Sequence, residues 1–159
     1  MSRSLIIMPD EGAQPLLDAL AGAKRSLRVK MFLFDDPKLL AAVIAAQQRG
    51  VKVRVILNPA RRGGEPENEA TRKKLEHAGI EVLDANPEFA VTHEKSAVVD
   101  DELTLVQSLN WETKNLTETR DYAVPALPAG DYQIRLDGGR NRQSLEPIAT
   151  YSFRVTGGP

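Results

Sequence analysis

Apolar positions from Leu5 to Val124 follow two rhythms, one of period two and one of period 3.6. Leu5-Ile6-Ile7-Met8 is a short unbroken run of the buried-strand type. Asp10 can cap a helix reaching about Ala23, with Leu16, Leu17 and Leu20 on one face. Residues 27–34, L-R-V-K-M-F-L-F, alternate as a strand does. Asp36-Pro37 then reads as a cap followed by proline at the first helical position. Leu39, Leu40, Val43 and Ile44 form the inner stripe of that helix, and Gly50 ends it. Residues 51–57, V-K-V-R-V-I-L, are the cleanest strand in the chain. A loop rich in Pro, Gly and Arg runs from Asn58 to Pro66, and a polar helix follows at about 67–78, closed by Gly79. Further strands are expected at 80–83, 93–99, 103–108 and 120–124, the last after a short helical or irregular stretch. Strand and helix alternating over short connections predict an α/β layered sheet.

The pattern changes at Pro125. Residues 125–130, P-A-L-P-A-G, read as a linker. Two antiparallel strands are expected at 131–136 and 148–155, too few to stand as an independent domain. The organisation is therefore one α/β domain at 1–124 and a β-type tail at 125–159.

Composition narrows the function classes. A chain of 159 residues buries one sizeable core. No run approaches the length of a membrane span. The apolar stretch near the N-terminus is too short for a secretory signal, so a cytoplasmic location is the default expectation. The absence of cysteine excludes disulfides, thiolate metal sites and a cysteine nucleophile. A net charge of −1 argues against coating a nucleic-acid duplex but leaves room for a local basic site.

The chemistry concentrates in T-H-E-K-S-A-V-V-D-D-E-L-T-L-V-Q-S-L-N-W. On a strand, His93 and Lys95 share a face, as do Ser108 and Asn110 on the next. A two-residue loop at Asp101-Glu102 sets His93 opposite Asn110 and Lys95 opposite Ser108, converging all four on one patch. A slip of one residue scatters them. A neutral imidazole can attack phosphorus and hold it covalently. Lysine and asparagine can hold the non-bridging oxygens as charge builds. Histidine needs a partner on its other nitrogen, and Asp121, an acid in an otherwise apolar strand, is the candidate. Asp100 reads as a residue that caps the hairpin bend. No spacing of His, Asp or Glu fits a metal site, and no cofactor is implied.

His93-x-Lys95, Asp100 five positions on, and Ser108-x-Asn110 together resemble the signature of the phospholipase D superfamily. The resemblance covers about residues 4–124 and is nearest to bacterial phospholipase D-like proteins. It departs at Gln107, where a glycine is commonest; by alternation Gln107 points away from the Ser108 face. The resemblance implies a layered α-β-α sandwich around a mixed sheet. It also implies a metal-independent, two-step reaction through a phosphohistidine at His93, with a second histidine protonating the leaving oxygen. Catalysis then falls to His93, Lys95 and Asp121, and substrate binding to Lys95, Ser108 and Asn110. Members carry two motif copies, or one copy in a homodimer. This chain has one, and its other histidine, His77, lies in a polar helix, so a twin chain is expected to complete the site. The expected substrate is a phospholipid head group, with peripheral membrane contact, or alternatively DNA or RNA. A reading of another class is a non-catalytic half-enzyme serving as a binding module.

Overall fold

The computed structural model describes residues 5–60 and 66–125, together with the backbone of two strands at 130–138 and 146–155. Residues 61–65 of the expected loop, which include Arg61 and Arg62, and 126–129 of the expected linker lie outside the described residues. The chain divides into two compact units, Met1–Ala126 and Leu127–Pro159.

In the first unit the elements run β1 (Ile6–Ile7), α1 (Gln14–Ala21), β2 (Ser26–Met31), α2 (Pro37–Gln48), β3 (Lys52–Leu57) and α3 (Glu69–His77). They continue with β4 (Glu81–Asp84), β5 (Lys95–Val99), β6 (Leu103–Gln107), α4 (Thr113–Thr117) and β7 (Tyr122–Pro125). The second unit pairs β8 (Gly130–Gly138) with β9 (Glu146–Val155) as an antiparallel hairpin.

One seven-stranded mixed sheet organises the first unit, in the order β1-β7-β6-β5-β2-β3-β4. β2, β3 and β4 are parallel, and β5, β6, β7 and β1 continue antiparallel. This is the α/β layered architecture the pattern predicts. The alternation within each strand sorts the side chains: Leu27, Val29, Met31, Val53, Val55, Leu57, Ala97, Val99 and Leu105 are buried with Leu16, Leu20, Leu39, Val43 and Leu75 from the helices. Burying Leu39, Leu40 and Val43 of α2 contributes about 1.5–3 kcal/mol each.

Caps and turns set the boundaries. Asp36 accepts from the Lys38 and Leu39 amides at 3.0 and 2.9 Å, with Pro37 opening α2 as the sequence predicts. Asp10 does not cap α1. The chain turns through a left-handed φ of 60° at Gly12, α1 starts three residues later than a cap at Asp10 requires, and Asp10 pairs with Arg120 at 3.0 Å.

The β5–β6 hairpin departs from the expected register by one residue. Ser96 pairs with Val106 and Val99 with Leu103. The Glu102 amide bonds the Val99 carbonyl at 3.0 Å, so the tight turn falls on Asp100 and Asp101, whose φ values are 56° and 60°. Glu102 is then one extra residue, and it shifts every pair. Lys95 consequently falls beside Gln107 rather than Ser108, and His93 precedes the strand instead of facing Asn110.

Asp100 fixes that turn. Its carboxylate collects the backbone N–H groups of Lys24, Arg25 and Ser26 at 2.9, 2.7 and 2.8 Å, latching the hairpin to the start of β2. The Ser26 and Arg25 amides lead in holding its carboxyl at about 2, with burial opposing. Since the folded value lies below the ordinary 3.8, the stability it contributes is present above pH 3.8 and is lost as pH falls through about 2. Asp100→Asn, which turns one acceptor oxygen into a donor facing donors, is expected to lower Tm at pH 7 by several degrees. It should also flatten the fall of Tm between about pH 4 and pH 2. Thermal melts across that range check both, and a parent-like Tm and acid slope would refute the latch.

Candidate active site

Five strand ends meet at one edge of the sheet: the C-terminal ends of β2, β3 and β6 and the N-terminal ends of β5 and β7. In open α/β sheets the crevice beyond the strand ends is where ligands bind. Here Phe32, just past β2, receives two of the expected residues. The His93 ring packs edge-on against it with centroids 4.6 Å apart. The Lys95 ammonium lies 5.2 Å from the same ring centre and donates to the His93 carbonyl at 2.8 Å. His93 is exposed, whereas Lys95 is 4 % exposed.

Asp121 joins from the next element. Its Oδ1 accepts from Ser108 Oγ at 2.7 Å, and its Oδ2 accepts from Thr119 Oγ1 at 2.6 Å and Asn115 Nδ2 at 3.3 Å. Burial works to raise this carboxyl. The bonds from Thr119, Ser108 and Asn115, with the Lys95 charge, outweigh it and hold the group below its ordinary range. Burial likewise lowers the Lys95 ammonium, opposed by Asp121. Partial desolvation lowers the His93 imidazole, and the Lys95 charge lowers it further. Both influences favour the neutral imidazole, the form that can act as a nucleophile.

The edge thus gathers His93, Lys95, Ser108 and Asp121, although not by the facing pairs expected. Three of the expected residues make other contacts than the sequence suggests. Asp121 makes no hydrogen bond to His93; its carboxylate is engaged by Ser108, Thr119 and Asn115. Ser108 has a single hydroxyl proton and gives it to Asp121 while accepting from the Tyr122 amide at 3.0 Å, so in this arrangement it supports Asp121. Asn110 gives an amide N–H to Glu112 at 3.0 Å and forms no hydrogen bond to His93 or Lys95.

Several supporting residues escape sequence reading. Asn68, at a left-handed φ of 62°, donates to the carbonyls of Phe32 and Asn58 at 2.8 and 2.9 Å and accepts from the Phe34 amide at 2.8 Å. Asn58 accepts from the Thr92 amide at 2.9 Å and so anchors the segment entering His93. The one signal for Asn58 is its position, a polar residue ending a strand that otherwise buries every second side chain. Phe32 carries no sequence mark beyond its place in an apolar run.

A cavity of about 480 Å³ nearby contains neither His93 nor Lys95. Asp35, Glu67, Glu69 and Glu112 help line it. Burial, with Glu112 and Asp36 close by, raises the Asp35 carboxyl, so added negative charge is unwelcome there and the His93 edge is the phosphate-compatible one. Among the described residues no group of three or more His, Cys, Asp or Glu is arranged to hold a metal ion. None of their helices is long and apolar enough to cross a membrane.

Comparison with known proteins places this geometry. A family profile described as "Cardiolipin synthase, PLD-like domain" matches residues 16–126. Human mitochondrial cardiolipin hydrolase is 36 % identical over 129 residues, covering 76 % of this chain and 46 % of that protein. Cardiolipin synthase B of Salmonella typhi is 30 % identical over 144 residues, covering 81 % of this chain and 33 % of that protein. The chain thus spans half or less of the length of these curated relatives. Among solved structures, the phospholipase D family member Nuc from Salmonella typhimurium superposes with a TM-score of 0.69 at 28 % identity, covering 78 % of this chain and 81 % of that one. With a matching profile over most of its length and the His93, Lys95 and Asp100 spacing on a shared fold, the chain belongs to the phospholipase D superfamily.

Proposed function

We propose that this chain is a phosphodiesterase working through a phosphohistidine at His93, with a phospholipid head group as substrate and a second copy of the chain completing the site. The observation that carries this reading is the pairing at Phe32 of an exposed imidazole with a buried lysine. An imidazole nitrogen of His93 attacks phosphorus and the bond to the leaving alcohol oxygen breaks. That oxygen takes its proton from the His93 imidazolium of the twin chain. Water then attacks phosphorus, the P–N bond breaks, and the water proton returns to the twin's imidazole. Lys95 binds a non-bridging oxygen, and Asp121 balances the Lys95 charge. Asn110 adds an amide donor through its second N–H. None of these steps calls for a metal ion.

The relatives named for cardiolipin, at 30–36 % identity, favour a lipid substrate. A second reading, cleavage of DNA or RNA, draws on the likeness to Nuc, which superposes with a TM-score of 0.69 at 28 % identity. One preparation assayed in EDTA against cardiolipin vesicles and single-stranded DNA separates them. We expect vesicle turnover, with specific activity rising with protein concentration as dimers form. Cleavage of DNA alone would transfer the assignment to a nuclease. A strict monomer inert toward both would mark a non-catalytic module.

A further inference from the structure

We infer that Gln107, where the family most often has glycine, supplies a further phosphate-binding donor at this edge; the inference rests on the phosphodiesterase reading and extends it. Its side chain is 8 % exposed. The Trp111 indole Nε1 donates to Gln107 Oε1 at 3.0 Å. An indole N–H can only donate, so the amide is oriented without ambiguity, with its nitrogen turned away from Trp111. That nitrogen, Nε2, is buried and has no partner among the described residues. Buried amide donors are nearly always paired, so an orphan of this kind asks for a function.

Position supplies one. The pair Ser96 and Val106 sets Lys95 beside Gln107 on the neighbouring strand, and both side chains are on the core face. Directly opposed residues have Cβ atoms ~5 Å apart. Both side chains also reach toward the same sheet edge. The Lys95 ammonium goes to the His93 carbonyl, and the Gln107 amide goes to Trp111, whose own amide bonds the Leu33 carbonyl at 3.0 Å. A phosphate oxygen reaching the Lys95 ammonium enters the region of the unpaired N–H₂ of Gln107. One oxygen then meets a cation and a neutral donor, the second unpaired in the free chain.

The test uses the full chain, with inorganic phosphate as the probe and emission from Trp111, the only tryptophan, as the signal. Gln107→Glu keeps the oxygen that Trp111 needs and replaces the N–H₂. Gln107→Leu removes the donor without adding charge. Both are expected to weaken phosphate binding at least about tenfold and to raise KM more than they lower kcat, at a Tm within a few degrees of the parent. Loss confined to Gln107→Glu would be repulsion by the new carboxylate and would overturn the inference. So would binding within about twofold of the parent in Gln107→Leu. Should the parent itself neither bind phosphate nor cleave a diester, the enzymatic reading fails first. If the parent does both and the variants match it, Gln107 merely supports Trp111 and the enzymatic reading stands.

Discussion

Replacing His93 with alanine is expected to lower kcat at least about 1,000-fold while Tm stays within about 2 °C of the parent. The two halves of that result have separate causes. His93 lies outside any strand, is exposed, and packs on Phe32 without a hydrogen bond to its ring, so little stability depends on it. In the proposed reaction its imidazole nitrogen is, among the described residues at this edge, the one that forms the covalent bond to phosphorus. Lys95 is a buried cation, and the hydroxyl of Ser108 is tied to Asp121. In a dimeric site the substitution also deletes the acid for the leaving oxygen, since each chain supplies one of the two histidines. Turnover near the parent rate would mean that another group attacks.

The pH profile gives an independent reading of the same residue. Partial desolvation and the Lys95 charge both lower the imidazole from its ordinary 6.5. The attacking copy must be neutral and the twin's must carry the proton for the leaving oxygen, so kcat/KM should be bell-shaped, with an acid limb lying below pH 6.5 and a fall on the basic side as the twin loses its proton.

How much of this was legible in the sequence depends on the distance over which each feature is decided. The α2 start is local: Asp36 and Pro37 dictate it within four residues, and the structure follows. The strands are nearly as local, because alternation alone assigns Val53, Val55 and Leu57 to the core. The hairpin register is not local. It turns on whether Asp100 and Asp101 adopt positive φ, and what steadies Asp100 there is a trio of amides some 75 residues earlier. The same distance hid Asn58 and Asn68, which matter only because a loop, a helix start and two strand ends meet. The motif spacing survived a wrong register because its residues lie at strand ends, where side chains can converge around an edge without facing each other across a ladder. For Ser108 the sequence shows a hydroxyl but not where its single proton goes.

Lys95→Met should separate what the ammonium does for catalysis from what its burial does to stability. Methionine keeps the length and apolar stem of lysine, so the packing beside Phe32 survives. Removing a charge that binds the phosphate as it becomes more negative is expected to lower kcat by about 100- to 1,000-fold. Stability should move the other way or not at all. Lys95 is 4 % exposed, and its pKa is lowered chiefly by burial. A lysine whose folded value lies below its unfolded one makes the chain less stable at neutral pH, a penalty that fades as pH rises from the folded value toward 10.5. Methionine removes that penalty and loses in exchange one hydrogen bond to the His93 carbonyl. Asp121 loses its cation but keeps its three hydrogen bonds. One further consequence ties the two site residues together. With the Lys95 charge gone, the His93 pKa should rise, moving the acid limb of the residual activity to higher pH. A variant that loses activity with a lower Tm and an unmoved limb would show Lys95 to be a packing residue, and the phosphate would need another cation.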